Sequence, residues 1–186
     1  MTGLSATTGA ERFLLFGVCS GADNSIATAL VDDRVAGIVL VDPPTYPTRR
    51  SRLRHLRDKV RARGGAAAVA RWAFRVAERR VRVKLATLGH QVPEDPPSEG
   101  RELPPVEVFG QQLTTLAARG VKIFAIFSGI HQARYNHADQ LFELYPALRG
   151  RVDHAYYPTA NHTFTELGQQ RDLIDAVTGW VRRRFS

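Results

Sequence analysis

The sequence predicts an α/β fold with a mostly parallel sheet of about four strands flanked by helices. Short apolar segments rich in β-branched residues alternate along the chain with segments whose apolar residues recur at helical spacing. The strongest of the strand-like segments are continuous apolar runs, as in strands buried on both faces of a parallel sheet. In sheets of this class ligands bind at the carboxyl ends of the strands, so the residues after each strand are the first candidates for a functional site.

Four segments have the character of strands. The first is a short apolar run that ends at Gly17, and the second is a continuous β-branched run between Asp32-Asp33 and Asp42-Pro43-Pro44. The third follows Arg119-Gly120, and the fourth ends at Pro158. The predicted strands are 13–16, 35–41, 121–127 and 152–157.

Helical patterns lie between and after these strands. The first candidate helix is alanine-rich and follows the first strand directly. The last has Leu173, Ile174, Val177, Trp180 and Val181 at helical spacing. The predicted helices are 20–30, 106–118, about 138–148 and 173–185.

We treat residues 1–186 as a single domain with a helical insertion at 43–105. The insertion interrupts the alternation of strands and helices with two basic helical segments, about 49–63 and 66–88, separated by Gly64-Gly65. A loop rich in proline and acidic residues then leads back to the core. The sequence therefore predicts a cap that is inserted after the second strand.

Positive charge is concentrated in this insertion. The net charge is +8, but the stretch from Arg49 to Lys84 carries fourteen Lys and Arg against two acidic residues, and the rest carries 12 basic and 16 acidic residues. We expect the basic cap to be either a solvated face or a surface for anionic lipid head groups, a polyanionic saccharide or an acidic acyl carrier. Specific nucleic-acid binding is not expected, because no recognition motif accompanies the charge.

The apolar runs are far shorter than the roughly 20 residues that cross a bilayer. The N-terminal residues lack a basic region followed by an apolar stretch, so no secretory signal is predicted and a cytoplasmic location is expected. The single cysteine cannot form an internal disulfide, so it is either a small buried residue or a reactive group.

Cys19 stands in a Gly-x-Cys-x-Gly pattern between the first strand and the first helix. In such an elbow the central residue lies on a sharp bend that exposes its side chain, and Gly17 and Gly21 relieve crowding that larger residues would cause. The backbone N–H of Ser20 would then supply half of an oxyanion hole. Ser20 is itself a weaker candidate nucleophile, because it occupies the wrong place between the glycines.

A histidine occupies the corresponding position after the last strand. His162 lies in a short loop between that strand and the final amphipathic helix. A nucleophile that comes first in the chain and a histidine that comes last follow the order of an α/β-hydrolase triad. A loop histidine bonded to the backbone is the structural alternative.

On these residues the chain resembles the C-terminal half of the α/β-hydrolase superfamily, over 13–185. Its cysteine elbow is similar to that of dienelactone-hydrolase-like members and of hydrolases associated with bacterial surface-polysaccharide gene clusters. The resemblance implies a partial α/β-hydrolase fold and a Cys–His–acid triad in which Cys19 attacks a small ester, thioester or related acyl substrate and His162 transfers the proton. It implies no metal and no organic cofactor.

Two residues remain candidates for the acid of this triad. Asp42 follows the second strand, where some superfamily members place the acid, and Asp139 is the first carboxylate after the third strand, where most place it. Asp42 could instead be a structural residue of the turn before Pro43. His131 and His137 lie in the same loop as Asp139, and we expect them to be solvated neighbours of the site.

Only eighteen residues precede Cys19, whereas members of the superfamily have several strands before the elbow. We therefore expect either that the chain is a fragment or that a partner chain or a second copy completes the sheet. The alternative function is a non-catalytic remnant or subunit that binds a partner or a polyanion.

Overall fold

The computed structural model describes residues 9–62, 64–65, 70–71, 74–75, 102–129 and 134–186. The chain divides into two compact units, one formed by Met1–Ser51 with Leu103–Ser186 and one by Arg52–Glu102. The elements assigned in the described residues are β1 (Phe13–Val18), α1 (Ser20–Val31), β2 (Val35–Val41), α2 (Arg49–Ala62), α3 (Val106–Ala118), β3 (Lys122–Ser128), α4 (Gln140–Leu144), a 3-10 turn (Pro146–Leu148), β4 (Val152–Tyr157) and α5 (Leu167–Phe185).

The four strands form one parallel sheet in the order β1-β2-β3-β4. In register, Val18 lies opposite Val41, and Val41 lies opposite Ile126. The carboxyl ends of neighbouring strands therefore meet at one edge of the sheet. The predicted class, a parallel sheet of four strands with helices around it, is confirmed.

The sheet separates two apolar clusters, and every residue of β2 is buried between them. Side chains of α1 and α3 pack on one face, against alternate residues of β2 and β3 such as Leu40 and Ile123. On the other face Trp180 of α5 packs with Val39 and Phe124. Burial on both faces explains why β2 reads as an unbroken apolar run.

Strand β1, at one end of the sheet, is only partly covered. Its residues Leu14, Phe16 and Val18 are 40%, 52% and 37% exposed. Since successive side chains of a strand alternate between faces, these three share one face of the sheet. They leave an apolar strip along the edge strand.

Two of the predicted helices have different bounds in the structure. Helix α5 begins at Leu167 instead of 173, because its first turns are polar or exposed and carry no apolar stripe that the spacing could reveal. The helix predicted over 138–148 is split into α4 and the 3-10 turn, since Tyr145 is not helical, with φ −128° and ψ 72°, and Pro146 cannot donate a helical hydrogen bond.

The first predicted helix of the insertion is present as α2, whereas the second, 66–88, lies largely outside the described residues. The hydroxyl of Tyr46 donates a hydrogen bond to the carbonyl of Pro104, and both residues belong to the larger unit. That the insertion acts as a cap stays a prediction. None of the helices in the described ranges has both the length and the apolar character that crossing a membrane requires.

Candidate active site

Cys19 occupies a strained turn between β1 and α1. Its φ of 54° and ψ of −116° are rarely adopted by residues with a side chain. Two backbone bonds hold the turn: the N–H of Cys19 donates to the carbonyl of Val41 at 2.9 Å, and the N–H of Ala22 donates to the carbonyl of Cys19 at 2.9 Å. Strain of this kind persists where surrounding structure enforces it, and it is concentrated at functional sites.

Close packing explains one of the two glycines of the elbow. A Cβ atom on Gly17 would lie 2.2 Å from the carbonyl oxygen of Gly21, so β1 and the start of α1 could not approach as they do. A Cβ on Gly21 would meet nothing within 4 Å. The expectation that both glycines relieve crowding is therefore wrong for Gly21. Ser20 is the exposed first residue of α1.

Asp42 occupies the same position after β2 that Cys19 occupies after β1. It also has a positive φ, 49°, and its N–H donates to the carbonyl of Ile126 at 2.8 Å. Aspartate tolerates this region of backbone space better than most residues. Its side chain is buried, at 1% exposed.

Both oxygens of the Asp42 carboxylate accept hydrogen bonds from Ser128, the last residue of β3. The backbone N–H of Ser128 donates to Oδ1 at 2.7 Å, and its hydroxyl donates to Oδ2 at 2.7 Å. Nδ1 of His162 also lies 2.8 Å from Oδ2. A buried carboxylate needs such donors, because leaving it without them would cost several kcal/mol, about 1 to 3 for each lost partner.

The loop that carries His162 is fixed at several points. The side-chain oxygen of Asn161 accepts the N–H groups of Thr163 and Thr165, at 3.2 and 3.1 Å. Phe164, at φ 50°, is 2% exposed and packs edge-on against Tyr157. The imidazole is 29% exposed, so it has solvent on one side and the buried carboxylate on the other.

This loop is also tied to the end of β3. The N–H of Gly129 donates to the carbonyl of Ala160 at 3.0 Å. A Cβ on Gly129 would lie 2.0 Å from the carbonyl oxygen of Pro158, so only glycine permits this approach. The histidine loop and the strand that supplies Ser128 are therefore positioned together.

The other acid candidate lies elsewhere. The structure pairs His162 with Asp42, whereas the carboxylate of Asp139 lies 3.5 Å from Arg149, and both of those side chains are exposed. Asp139 precedes α4, and its backbone carbonyl accepts the N–H groups of Phe142 and Glu143.

The expectation that His137 is solvated is wrong, because it is 5% exposed. Its ring nitrogens lie 3.0 Å from Oδ1 of Asn136 and 2.8 Å from Oε1 of Glu143. Although burial raises the pKa of Glu143, hydrogen bonds from Thr48, His137 and Arg50 outweigh it and hold the pKa below its ordinary value. His137 thus belongs to a structural network, and His131 lies outside the described residues.

Sequence reasoning did not identify Ser128, Asn161 or Phe164 as parts of the site. Asn161 stands directly before His162, and an asparagine that bonds to following N–H groups is a recognisable turn signal. Ser128 stands at the end of a strand, where the fold class places functional groups, but only the register of β2 with β3 pairs it with Asp42.

No protein-family model matches the chain, and no curated protein matches it. Among solved structures, it is similar to one from work on carboxylesterases of the ammonia-oxidizing thaumarchaeon Nitrososphaera gargenis, with 15% identity and a TM-score of 0.45 over 98% of this chain and 70% of that one. It is also similar to DcsB in complex with its substrate analogue, with 17% identity and a TM-score of 0.43 over 98% of this chain and 69% of that one.

Proposed function

We propose that the protein is a hydrolase or acyltransferase that acts on an ester, thioester or related acyl bond, with Cys19 as nucleophile, His162 as general acid and base, and Asp42 as the acid that orients the histidine. The observation that carries the proposal is the hydrogen bond between Nδ1 of His162 and the buried carboxylate of Asp42. A carboxylate in this position fixes the tautomer of the imidazole and stabilises its charged form during proton transfer.

The proposed reaction has two steps. Cys19 Sγ forms a bond to the acyl carbon and its proton passes to Nε2 of His162, the nitrogen on the far side of the ring from Asp42. The bond to the leaving alcohol or thiol then breaks, and His162 returns the proton to that group. In the second step water, or another acceptor, attacks the acyl carbon, its proton passes through His162 to the departing sulfur, and the thiol is restored.

Negative charge that develops on the acyl oxygen needs donors at the elbow. The backbone N–H of Ser20 is the proposed donor, because it follows the nucleophile directly and begins α1. The amino end of that helix also carries a partial positive charge directed toward the same place. Because the donor is a backbone group, we expect its role not to depend on the Ser20 side chain.

The decisive experiment is alkylation of Cys19 by iodoacetamide, because the chain has one cysteine and the site of labelling is unambiguous. We expect the folded chain to react faster than the urea-unfolded chain, and His162→Ala to lose that advantage. His154→Gln, a histidine substitution on β4, is the matched control and keeps the fast rate. If Cys19 is alkylated no faster in the folded chain than in the unfolded chain, the enzyme proposal is wrong.

Acyl transfer is tested by mixing the protein with p-nitrophenyl butyrate and with a butyryl thioester. We expect a butyryl adduct on Cys19 in the intact mass spectrum, absent in Cys19→Ala. Because a rapid second step could hide the adduct, the reaction is quenched at short times. If Cys19 is alkylated fast but acylated by neither substrate, the butyryl group is the wrong choice of acyl group and Cys19 remains the proposed nucleophile.

One observation favours a second candidate function, a non-catalytic binding subunit. The apolar strip of Leu14, Phe16 and Val18 along β1 lies beside the elbow, and an exposed edge strand of this kind pairs readily with another chain. This candidate predicts slow alkylation of Cys19 together with a concentration-dependent increase in molar mass by light scattering. The enzyme proposal predicts fast alkylation whatever the molar mass.

A further inference from the structure

Helix α2 combines a high positive charge with an exposed apolar stripe. Its 14 residues contain seven Lys and Arg and one acidic residue, Asp58. Leu53 and Leu56 are 68% and 55% exposed, and Val60 is partly buried. Their spacing of three and four residues places all three side chains on one stripe along the helix.

The stripe faces away from the buried side of its own helix. Ser51 is 0% exposed and lies two positions before Leu53, which at 3.6 residues per turn puts it on roughly the opposite side. Amphipathic helices of globular proteins ordinarily bury the apolar side. In α2 the polar Ser51 is buried while the leucines meet solvent.

Exposed cations border this stripe on both sides. Helical geometry puts Arg52 and Lys59 along one flank and Arg57 along the other, and all three side chains are exposed. Asp58 lies on the side opposite the stripe, with its carboxylate 3.9 Å from Arg57. The outward surface of α2 is therefore an apolar ridge between two basic borders.

We propose that this face of α2 binds the surface of an anionic lipid bilayer. Leu53, Leu56 and Val60 would enter the boundary between head groups and acyl chains, while the flanking cations contact anionic head groups. Long basic side chains suit this arrangement, because their stems lie along apolar surroundings while the charged ends stay in water. The inference does not depend on the proposed function.

Two alternatives explain less of the surface. A polysaccharide or nucleic acid would use the cations and leave the leucines in water. A second protein chain would need about 800 Å² of buried surface per partner, far more than two leucines and a half-buried valine provide. The bilayer is the partner that uses both the charge and the apolar ridge.

The test is cosedimentation of the full chain with vesicles. We expect it to pellet with vesicles of about three parts phosphatidylcholine to one part phosphatidylglycerol and to stay in the supernatant with phosphatidylcholine alone. Leu53→Ser with Leu56→Ser should weaken binding about tenfold, as should Arg52→Ser with Lys59→Ser. The control is Val31→Ser with Leu167→Ser, which removes two residues that are 85% and 71% exposed elsewhere and should bind as the unchanged chain does.

A second measurement reports insertion directly. Leu56→Trp should add fluorescence that anionic vesicles with brominated acyl chains quench, relative to the unchanged chain. Failure to bind anionic vesicles overturns the proposal. Full binding by the double leucine variant also overturns the proposal, because attraction between the cations and an anionic surface would then be sufficient. Loss of self-association in that variant with vesicle binding intact overturns it as well, because the leucines would then contact a second copy of the chain.

Discussion

Ser128 donates two hydrogen bonds to Asp42, one to each carboxylate oxygen, although the residues are 86 positions apart in the chain. The shared edge of β2 and β3 brings them together, and it does so beside His162. Ser128 thus acts through Asp42, as a residue that positions the proposed acid. The predictions below separate such roles from general contributions to stability.

Ser128→Ala should slow alkylation of Cys19 more than its effect on stability explains. The variant loses the hydroxyl bond to Asp42, at a cost of about 1 to 3 kcal/mol, and the carboxylate can then rotate away from His162. Ser51→Ala is the matched control, since it also removes a buried hydroxyl, the one that donates to Thr48. Both variants are compared by urea unfolding and by alkylation rate. Equal rates in the two variants would mean that Ser128 is only structural.

Asp42→Asn and Asp139→Asn should differ sharply in activity. Asp42→Asn removes the charged acceptor for Nδ1 of His162, and we expect acyl transfer to fall about a hundredfold or more. Asp139→Asn removes an exposed ion pair with Arg149, worth about 0.5 kcal/mol, and should leave the rate unchanged. The measurement is single-turnover acylation of Cys19. A larger loss in Asp139→Asn would reverse the assignment of the acid.

Gly17→Ala and Gly21→Ala should have opposite effects on the free energy of unfolding. The new Cβ at position 17 would lie 2.2 Å from a carbonyl oxygen, so the elbow must shift, at a cost of about 3 kcal/mol. At position 21 the Cβ meets open space in the first turn of α1, where alanine favours helix by up to about 1 kcal/mol. Urea unfolding measures both, and comparable losses would contradict the packing found at the elbow.

Asp153 should stabilise the fold at neutral pH and not in acid. Burial raises its pKa, but hydrogen bonds from Arg184 and Trp180 outweigh it and hold the pKa below its ordinary value. A carboxyl whose pKa is lower in the folded chain contributes stability above its unfolded pKa, 3.8, and loses that contribution as pH falls through the folded pKa. Asp153→Asn should therefore be less stable than the unchanged chain by about 1 kcal/mol at pH 7.

This difference should shrink below about pH 4, since protonation then removes the same charge from the unchanged chain. Thermal unfolding from pH 7 to pH 3 gives the comparison. Asp175→Asn, on the exposed side of α5, is the control and should change stability little at either pH. A difference that stays constant with pH would show that the charge of Asp153 contributes nothing.

The sequence predicts best those elements whose pattern is decided locally. Strand β2 has its predicted bounds because its run of apolar residues stops at a charged residue on each side, Arg34 and Asp42, as expected for a doubly buried strand. The start of α5 was not predictable from spacing, since Leu167 is 71% exposed and the first turns bury little. Apolar residues recur at helical spacing where one side of a helix is buried, so an exposed helical turn shows no such pattern.

The candidate site also has parts that local sequence patterns predict and parts that they do not. The elbow at Cys19 and the loop of His162 are local patterns, and each was predicted from its neighbours in the chain. The choice between Asp42 and Asp139 depends on strand register and on the partners each carboxylate finds, Ser128 for one and Arg149 for the other. Contacts between residues so far apart in the chain cannot be predicted from the spacing of residues along it.

The bond between the Tyr46 hydroxyl and the Pro104 carbonyl joins residues 58 positions apart in the larger unit. Both ends of the inserted stretch are thereby anchored at neighbouring points, and closing a loop between such points costs only slightly more as the loop grows. The stretch can therefore be lengthened, shortened or exchanged with little energetic penalty to the sheet. The stretch between Tyr46 and Pro104 is therefore where we expect changes in chain length to be tolerated best.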